Sequence, residues 1–135
     1  MDHTKRQHLI RSQRGQTATE FAIVLPVLAL LLFGVIQFGI LFNNYLALTD
    51  GVRAGARKAV VSRQVGDPIG VTESAVRTSA GELDQSKLVV TVSPGPTWEH
   101  GQDVTVTATY PYEVNLVGLV LASGRLKSTT TERVE

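Results

Sequence analysis

The sequence predicts an α+β chain: a long N-terminal transmembrane and amphipathic helix, followed by a small three-stranded antiparallel sheet with short helices. Two patterns predict it. Residues 21–49 contain no charged side chain and begin with an apolar run reaching Phe42, enough for a spanning helix, which needs ~20 such residues. Past residue 88, short Val- and Thr-rich runs are separated by Gly/Pro turns, the pattern of half-buried strands. The expected organisation is a leader over 1–15, a helix over 16–63 with its span at about 21–42, and an extracytoplasmic α+β domain over 64–135.

The leader, MDHTKRQHLIRSQR, sets Lys5, Arg6, Arg11 and Arg14 against Asp2. Lys and Arg beside a span favour its cytoplasmic end. Arg53, Arg57, Lys58 and Arg63 follow the span in equal number, so orientation rests on how close Arg11 and Arg14 lie to it. That expectation is a single-pass protein of the cytoplasmic (inner) membrane, in contact with lipid, with its N-terminus inside and its domain outside. Of 13 basic and 12 acidic side chains, the leader takes four basic and one acidic. The remainder is slightly acidic, which excludes a nucleic-acid partner recruited by basic charge. A secretory signal peptide fits poorly: its apolar region is ~7–15 residues and its small-x-small cleavage site follows closely. Here the apolar run is longer, and Ala54-Gly55-Ala56 lies far beyond it.

Within the helix, Glu20 is an acid at the mouth of an apolar run. Two readings stay open for it alone: a first-turn carboxylate in headgroup water that suits the helix dipole, or a functional ionisable group at the membrane edge. Pro26 removes the amide that would bond the Ala22 carbonyl, which predicts a kink or local melting. Gly34, Gln37 and Gly39 offer small and amide groups for helix contact, or face lipid incidentally. Beyond the span, Tyr45, Leu48, Val52, Ala56 and Ala59 recur at spacings of three and four, with Arg53 and Arg57 on a more polar side. One helix is therefore expected from about Thr17 to Ser62. Gly51 and Gly55 inside it each cost ~1 kcal/mol against alanine, and so mark close approach by another segment.

Gly15 followed five residues later by Glu20, between basic residues and an apolar helix, resembles the processing site of type IV prepilins. The stretches GQTATEFAIVLP and QFGILFNNYLALTDGVRAGARKAV, with the Glu20-Phe21 pair, resemble the TadE-like pseudopilins of the tight-adherence (Tad) pilus. Arg53, Gly55, Ala56 and Arg57 fit that family's "REGAR" segment, while Ala54 stands where the family carries an acid. The resemblance covers residues 15–62 well and the Thr-rich C-terminal end, Arg133 and Glu135, loosely. It implies cleavage between Gly15 and Gln16 by a prepilin peptidase, with Glu20 and Phe21 serving recognition and assembly. It also implies a major Flp-type pilin, a second minor pilin and an inner-membrane assembly platform as partners.

In the domain, Asp67 and Pro68 form an N-cap and first-turn pair, and Ile69, Val76, Ala80 and Leu83 support a short helix ending around Gly81 to Asp84. Leu88–Ser93 is expected as a strand with continuous apolar character at Leu88, Val89 and Val90. Residues 94–102 read as a loop. Val104, Val106, Ala108 and Tyr110 then alternate with Thr105, Thr107 and Thr109 as a half-buried strand. Leu116–Ala122 is expected as an apolar turn or helix packed on the domain, and Leu126–Val134 as the third strand.

For chemistry the chain offers little. It has no cysteine, hence no disulfide, thiolate metal site or cysteine nucleophile. Glu99, His100 and Asp103 share one loop and read either as a solvated turn or as a weak cation or catalytic group. No phosphate loop or dinucleotide fingerprint occurs, and neither an enzyme activity nor a cofactor or metal is expected. Trp98 reads as cover for an open sheet edge or as an exposed binding anchor. The rival to the prepilin expectation is an unprocessed single-span binding protein of the cell envelope, in which the Gly15-to-Glu20 spacing is coincidental.

Overall fold

The computed structural model describes the backbone of residues 3–116 and 118–135, and the side chains of residues 15–116 and 118–135. The basic leader side chains Lys5, Arg6, Arg11 and Arg14 lie outside the described residues. Five elements follow in order: α1 (His3–Val61), α2 (Pro68–Ser79), β1 (Val89–Ser93), β2 (Asp103–Leu116) and β3 (Leu119–Arg133). The strands form one antiparallel sheet in the order β1-β2-β3, so the chain is α+β, as its sequence predicts.

Helix α1 starts at His3, not near Thr17. No proline interrupts residues 3–16 and Gly15 is their one strong helix-breaker, so local propensity carries the helix back through the leader. The helix also passes Pro26 without a break, so the local melting expected there is absent. The ring removes one amide, and the rungs on either side remain.

The chain divides into two compact units at Phe38/Gly39. In the first, the apolar stretch of α1 is uncovered by any other described residue, with Ile23, Leu31 and Val35 among its exposed side chains. Among the described residues α1 is the one helix long and apolar enough to cross a membrane.

The second unit, Gly39–Glu135, holds the core. Leu48, Val52, Ala56 and Ala59 of α1 are fully buried against Val76 and Ala80 and against Val104, Val106 and Ala108 of β2. Tyr45, the first residue of the expected stripe, stays exposed. The two glycines mark close approach, as their positions predict. A Cβ on Gly51 would sit 2.9 Å from the Ala80 Cβ and 3.0 Å from the Val76 carbonyl oxygen, and one on Gly55 would overlap the Val76 Cγ2. Helix α2 begins with the Asp67 cap, whose Oδ1 accepts from the Gly70 amide at 2.9 Å, and Pro68 occupies its first turn.

The sheet alternates as a half-buried surface should. Val104, Val106 and Ala108 face inward, while Thr105 and Thr107 pair outward with Thr131 and Thr129, their hydroxyls 2.8 and 3.1 Å apart. β1 is shorter than expected: Leu88 is buried just ahead of it, and Val89 is exposed. Its apolar run therefore does not lie continuously in the core.

The largest departure is Leu116–Ala122. Among them the described residues, Leu116 and 118–122, neither form a helix nor pack on the domain; they make the end of a hairpin between β2 and β3. The ladder runs on past β1's last partner, Thr109, through Tyr112↔Gly124 and Val114↔Ala122 to Leu116↔Leu119. Gly118, at φ 88°, supplies the reversal that an L side chain rarely adopts. Every backbone group satisfied by a ladder bond is one a helix of seven residues would leave largely unpaired.

Trp98 is not an exposed anchor. It is buried, and its Nε1 donates to the Ala59 carbonyl at 3.0 Å, sharing that acceptor with the Ser62 amide at 3.1 Å. A carbonyl in the last turn of α1 thus gains a second donor beside the Ser62 amide, and the buried indole N–H is satisfied. Trp98→Phe keeps an aromatic ring in the core but removes this donor, while Ala59 keeps the Ser62 amide, so unfolding of the detergent-solubilised chain is expected to become easier by about 0.5–1.5 kcal/mol. Thermal unfolding followed by circular dichroism checks it, and an unchanged midpoint contradicts it.

Candidate functional site

The residues singled out from the sequence fall into two groups that the two units hold separately. In the N-terminal unit, Gly15, Gln16, Glu20 and Phe21 lie on successive turns of α1 and all are exposed. Residues four apart share a helix face. Accordingly, Gln16 Nε2 donates to Glu20 Oε1 at 3.2 Å, and Thr19 Oγ1 donates to the Gly15 carbonyl at 2.9 Å. No atom of another segment comes within 4 Å of where a Gly15 Cβ would stand. Farther along, Gly34 and Gly39 have the same open surroundings, and Gln37 is half-exposed. At 100° per residue, Gly34 and Gln37 fall on one side, with Gly39 about 140° round from Gly34.

In the second unit, Arg53, Gly55, Ala56 and Arg57 are split by the helix period. Gly55 and Ala56 are buried beneath α2, while Arg53 and Arg57 point to solvent. Arg53 lies 3.8 Å from Asp50, with both side chains more than three-fifths exposed. Such a pair contributes ~0–1 kcal/mol. The segment's small residues therefore carry packing, and its arginines are left available.

The loop holding Glu99, His100 and Asp103 is fixed through its backbone, not through those side chains. The Glu99 amide donates to Gln102 Oε1 at 2.8 Å, Gly101 N donates to the Val134 carbonyl at 2.7 Å, and Arg133 Nε donates to the Gly101 carbonyl at 3.1 Å. All three titratable side chains are exposed. Among the described residues no group of three His, Asp or Glu is gathered to hold a metal ion. Asp84 has its titration displaced from the usual range. The Ser86 hydroxyl and then the Ser86 amide, donating to Oδ1 at 2.6 and 3.0 Å, hold its carboxyl below the ordinary aspartate value, with Lys87 assisting. This is a turn lock between α2 and β1, where Arg77 also donates to the Gln85 and Leu88 carbonyls.

One feature went unread in the sequence as a surface: Leu119, Val120 and Leu121 are 70%, 52% and 61% exposed at the hairpin end. Its signal was present in Gly118 set between two apolar runs.

Comparison with known proteins gives one match. Residues 15–57 match the family model described as TadE-like protein. No curated protein and no solved structure matches the chain. The matched span contains Gly15, Glu20, the uncovered apolar stretch and the buried Gly55-Ala56 pair. Over residues 15–57, about a third of its length, this chain is similar to the TadE-like family.

Proposed function

We propose that the chain is a minor pilin or pseudopilin of a Tad (Flp) type IV pilus. It inserts into the inner membrane with its N-terminus in the cytoplasm, is cut between Gly15 and Gln16 by a prepilin peptidase, and then joins the fibre or its initiating complex through α1. One observation carries this reading: an apolar helix left uncovered by its own chain, with Gly15 and Glu20 exposed at its start. Such a helix must be covered by lipid or by other helices. Exchange of the first for the second is what assembly requires, with a major Flp-type pilin and a second minor pilin as the receiving helices and an inner-membrane platform as the site of transfer.

Cleavage does two physical things. It removes Lys5, Arg6, Arg11 and Arg14, which hold the helix to the cytoplasmic headgroups. It also creates an α-amino group on Gln16, with a reference pKa of ~8, so largely charged at neutral pH. Inside a bundle of helices an unpaired charge costs several kcal/mol. Glu20 of an adjacent subunit supplies the opposite sign. Arg53 and Arg57, exposed beyond the span, remain available to partner subunits.

The test is Glu20→Ala beside Glu20→Gln, expressed in a piliated host with its peptidase active. Both variants are expected to lose their leader normally, and both are expected to co-isolate poorly with fibres, since neither restores the negative charge. Undiminished incorporation of either removes the charge-neutralisation step.

A further inference from the structure

We infer that Thr19 is a positioning residue for the cut: its hydroxyl loosens the helical turn that carries the Gly15–Gln16 bond and so eases entry of that bond into the peptidase. The inference deepens the proposed processing of the leader and rests on it.

Three observations carry it. The first is where the bond lies. Helix α1 runs unbroken from His3 to Val61, so the Gly15–Gln16 peptide sits inside a helix and not at its end. Hydrolysis adds water across that bond. The Gly15 carbon takes the hydroxyl and leaves with the leader as a carboxyl group, while Gln16 keeps the nitrogen and takes the proton as an amine. In the helix the Gly15 oxygen is the ladder partner of the Thr19 amide, so the turn from 15 to 19 has to open before an enzyme can take hold of that carbonyl. Whatever lowers the cost of opening speeds the cut.

The second is the hydroxyl itself. Thr19 Oγ1 donates to the Gly15 oxygen at 2.9 Å. One residue therefore presents two donors, its amide and its hydroxyl, to the oxygen of the bond to be cut, and the two lone pairs of a carbonyl accommodate both. The hydroxyl offers that oxygen a partner outside the ladder, so loss of the amide bond on opening does not leave it bare. A threonine bonded back to the carbonyl four residues earlier slightly destabilises and bends a helix by this competition.

The third is the rest of the turn. Gly15, Thr17 and Thr19 make up three of its five residues, glycine being the poorest helix former after proline and threonine one of the weaker ones. Among the described residues no other segment comes within 4 Å of the Gly15 Cβ position, and Thr19 is exposed, so packing does not hold the turn shut. The neighbouring bond, Gln16 Nε2 to Glu20 Oε1 at 3.2 Å, lies wholly on the mature side of the cut and survives it. The acceptor of Thr19 leaves with the leader.

The test compares Thr19→Val, Thr19→Ser and the unaltered full chain in detergent with an excess of the host's prepilin peptidase, following loss of residues 1–15 by intact mass. Valine keeps the β-branch and nearly the same helix propensity but has no donor, whereas serine keeps the donor. The expected result is a cut about two- to five-fold slower for Thr19→Val, the low end of what one neutral hydrogen bond is worth, and an unchanged rate for Thr19→Ser. Amide exchange across residues 16–20 of the uncut chain is expected to slow in Thr19→Val alone. Adding Ala18→Gly to Thr19→Val loosens the same turn by other means and is expected to restore the rate. Equal rates for Thr19→Val and the unaltered chain overturn the inference and leave the processing intact. A slow Thr19→Val that Ala18→Gly does not restore places the hydroxyl against the enzyme instead of the turn, and overturns it too. If the unaltered chain stays whole while the same peptidase matures the host's major pilin, the processing fails and the inference with it.

Discussion

Gly55→Val unfolds the domain or costs it at least about 1–3 kcal/mol, the usual range of overpacking, while the same change at Gly34 leaves domain stability untouched. The difference is not one of helix propensity, which favours valine over glycine at both positions. At Gly55 the first added carbon meets the Val76 Cγ2, with the Thr72 carbonyl oxygen at 3.4 Å and the Val106 Cγ1 at 3.5 Å behind it. Relief requires α2 to move away from α1, yet α2 is held by the Asp67 cap and by Val76 and Ala80 in the core. At Gly34 nothing lies within 4 Å. The sole tryptophan, Trp98, is buried in this core and reports its loss by fluorescence in detergent-solubilised full chain. Equal denaturation midpoints for Gly55→Val and the unaltered chain would contradict the close packing of α1 on α2.

Gly15→Ala is expected to abolish removal of the leader, with no effect on the domain. Because no other segment lies within 4 Å of the Gly15 Cβ position, the added methyl cannot disturb the fold. It raises local helix stability by ~1 kcal/mol, and it adds bulk at the bond to be cut. Both act against a peptidase that must bring an extended, unhindered backbone into its site. Comparing the membrane-associated protein with and without the substitution, by intact mass, checks this. Normal maturation of Gly15→Ala contradicts a glycine-specific cut.

How much of this was legible in advance follows from what each pattern encodes. The long apolar helix was readable because residues 21–49 lack charge, and the α1 stripe because Leu48, Val52, Ala56 and Ala59 repeat at the helix period. Gly51 and Gly55 announced their own neighbour, since a helix keeps two costly glycines where another backbone comes close. Asp67-Pro68 and the Val/Thr alternation from 104 to 109 are equally local signals. The hairpin end was not legible as a strand. Periodicity cannot separate a short apolar run of strand from one of helix or buried turn, and the expectation that apolar groups are buried by their own chain pointed the wrong way. Nor could the partner of Trp98 be read, because Ala59 lies 39 residues away and its carbonyl is invisible in side-chain pattern. In the candidate site, the spacing of Gly15 and Glu20 singles them out as candidates, whereas the division of residues 53–57 into buried Gly55-Ala56 and exposed Arg53 and Arg57 needed the position of α2.

The central claim is that the anchor is released from its basic leader so that it can exchange lipid for neighbouring helices. The most direct measurement is the N-terminal residue of the chain isolated from membranes or fibres of cells with an active prepilin peptidase, read by mass spectrometry. The account predicts that it begins at Gln16, and at Met1 when the peptidase is removed. A chain that still carries Met1 where the peptidase is active contradicts it.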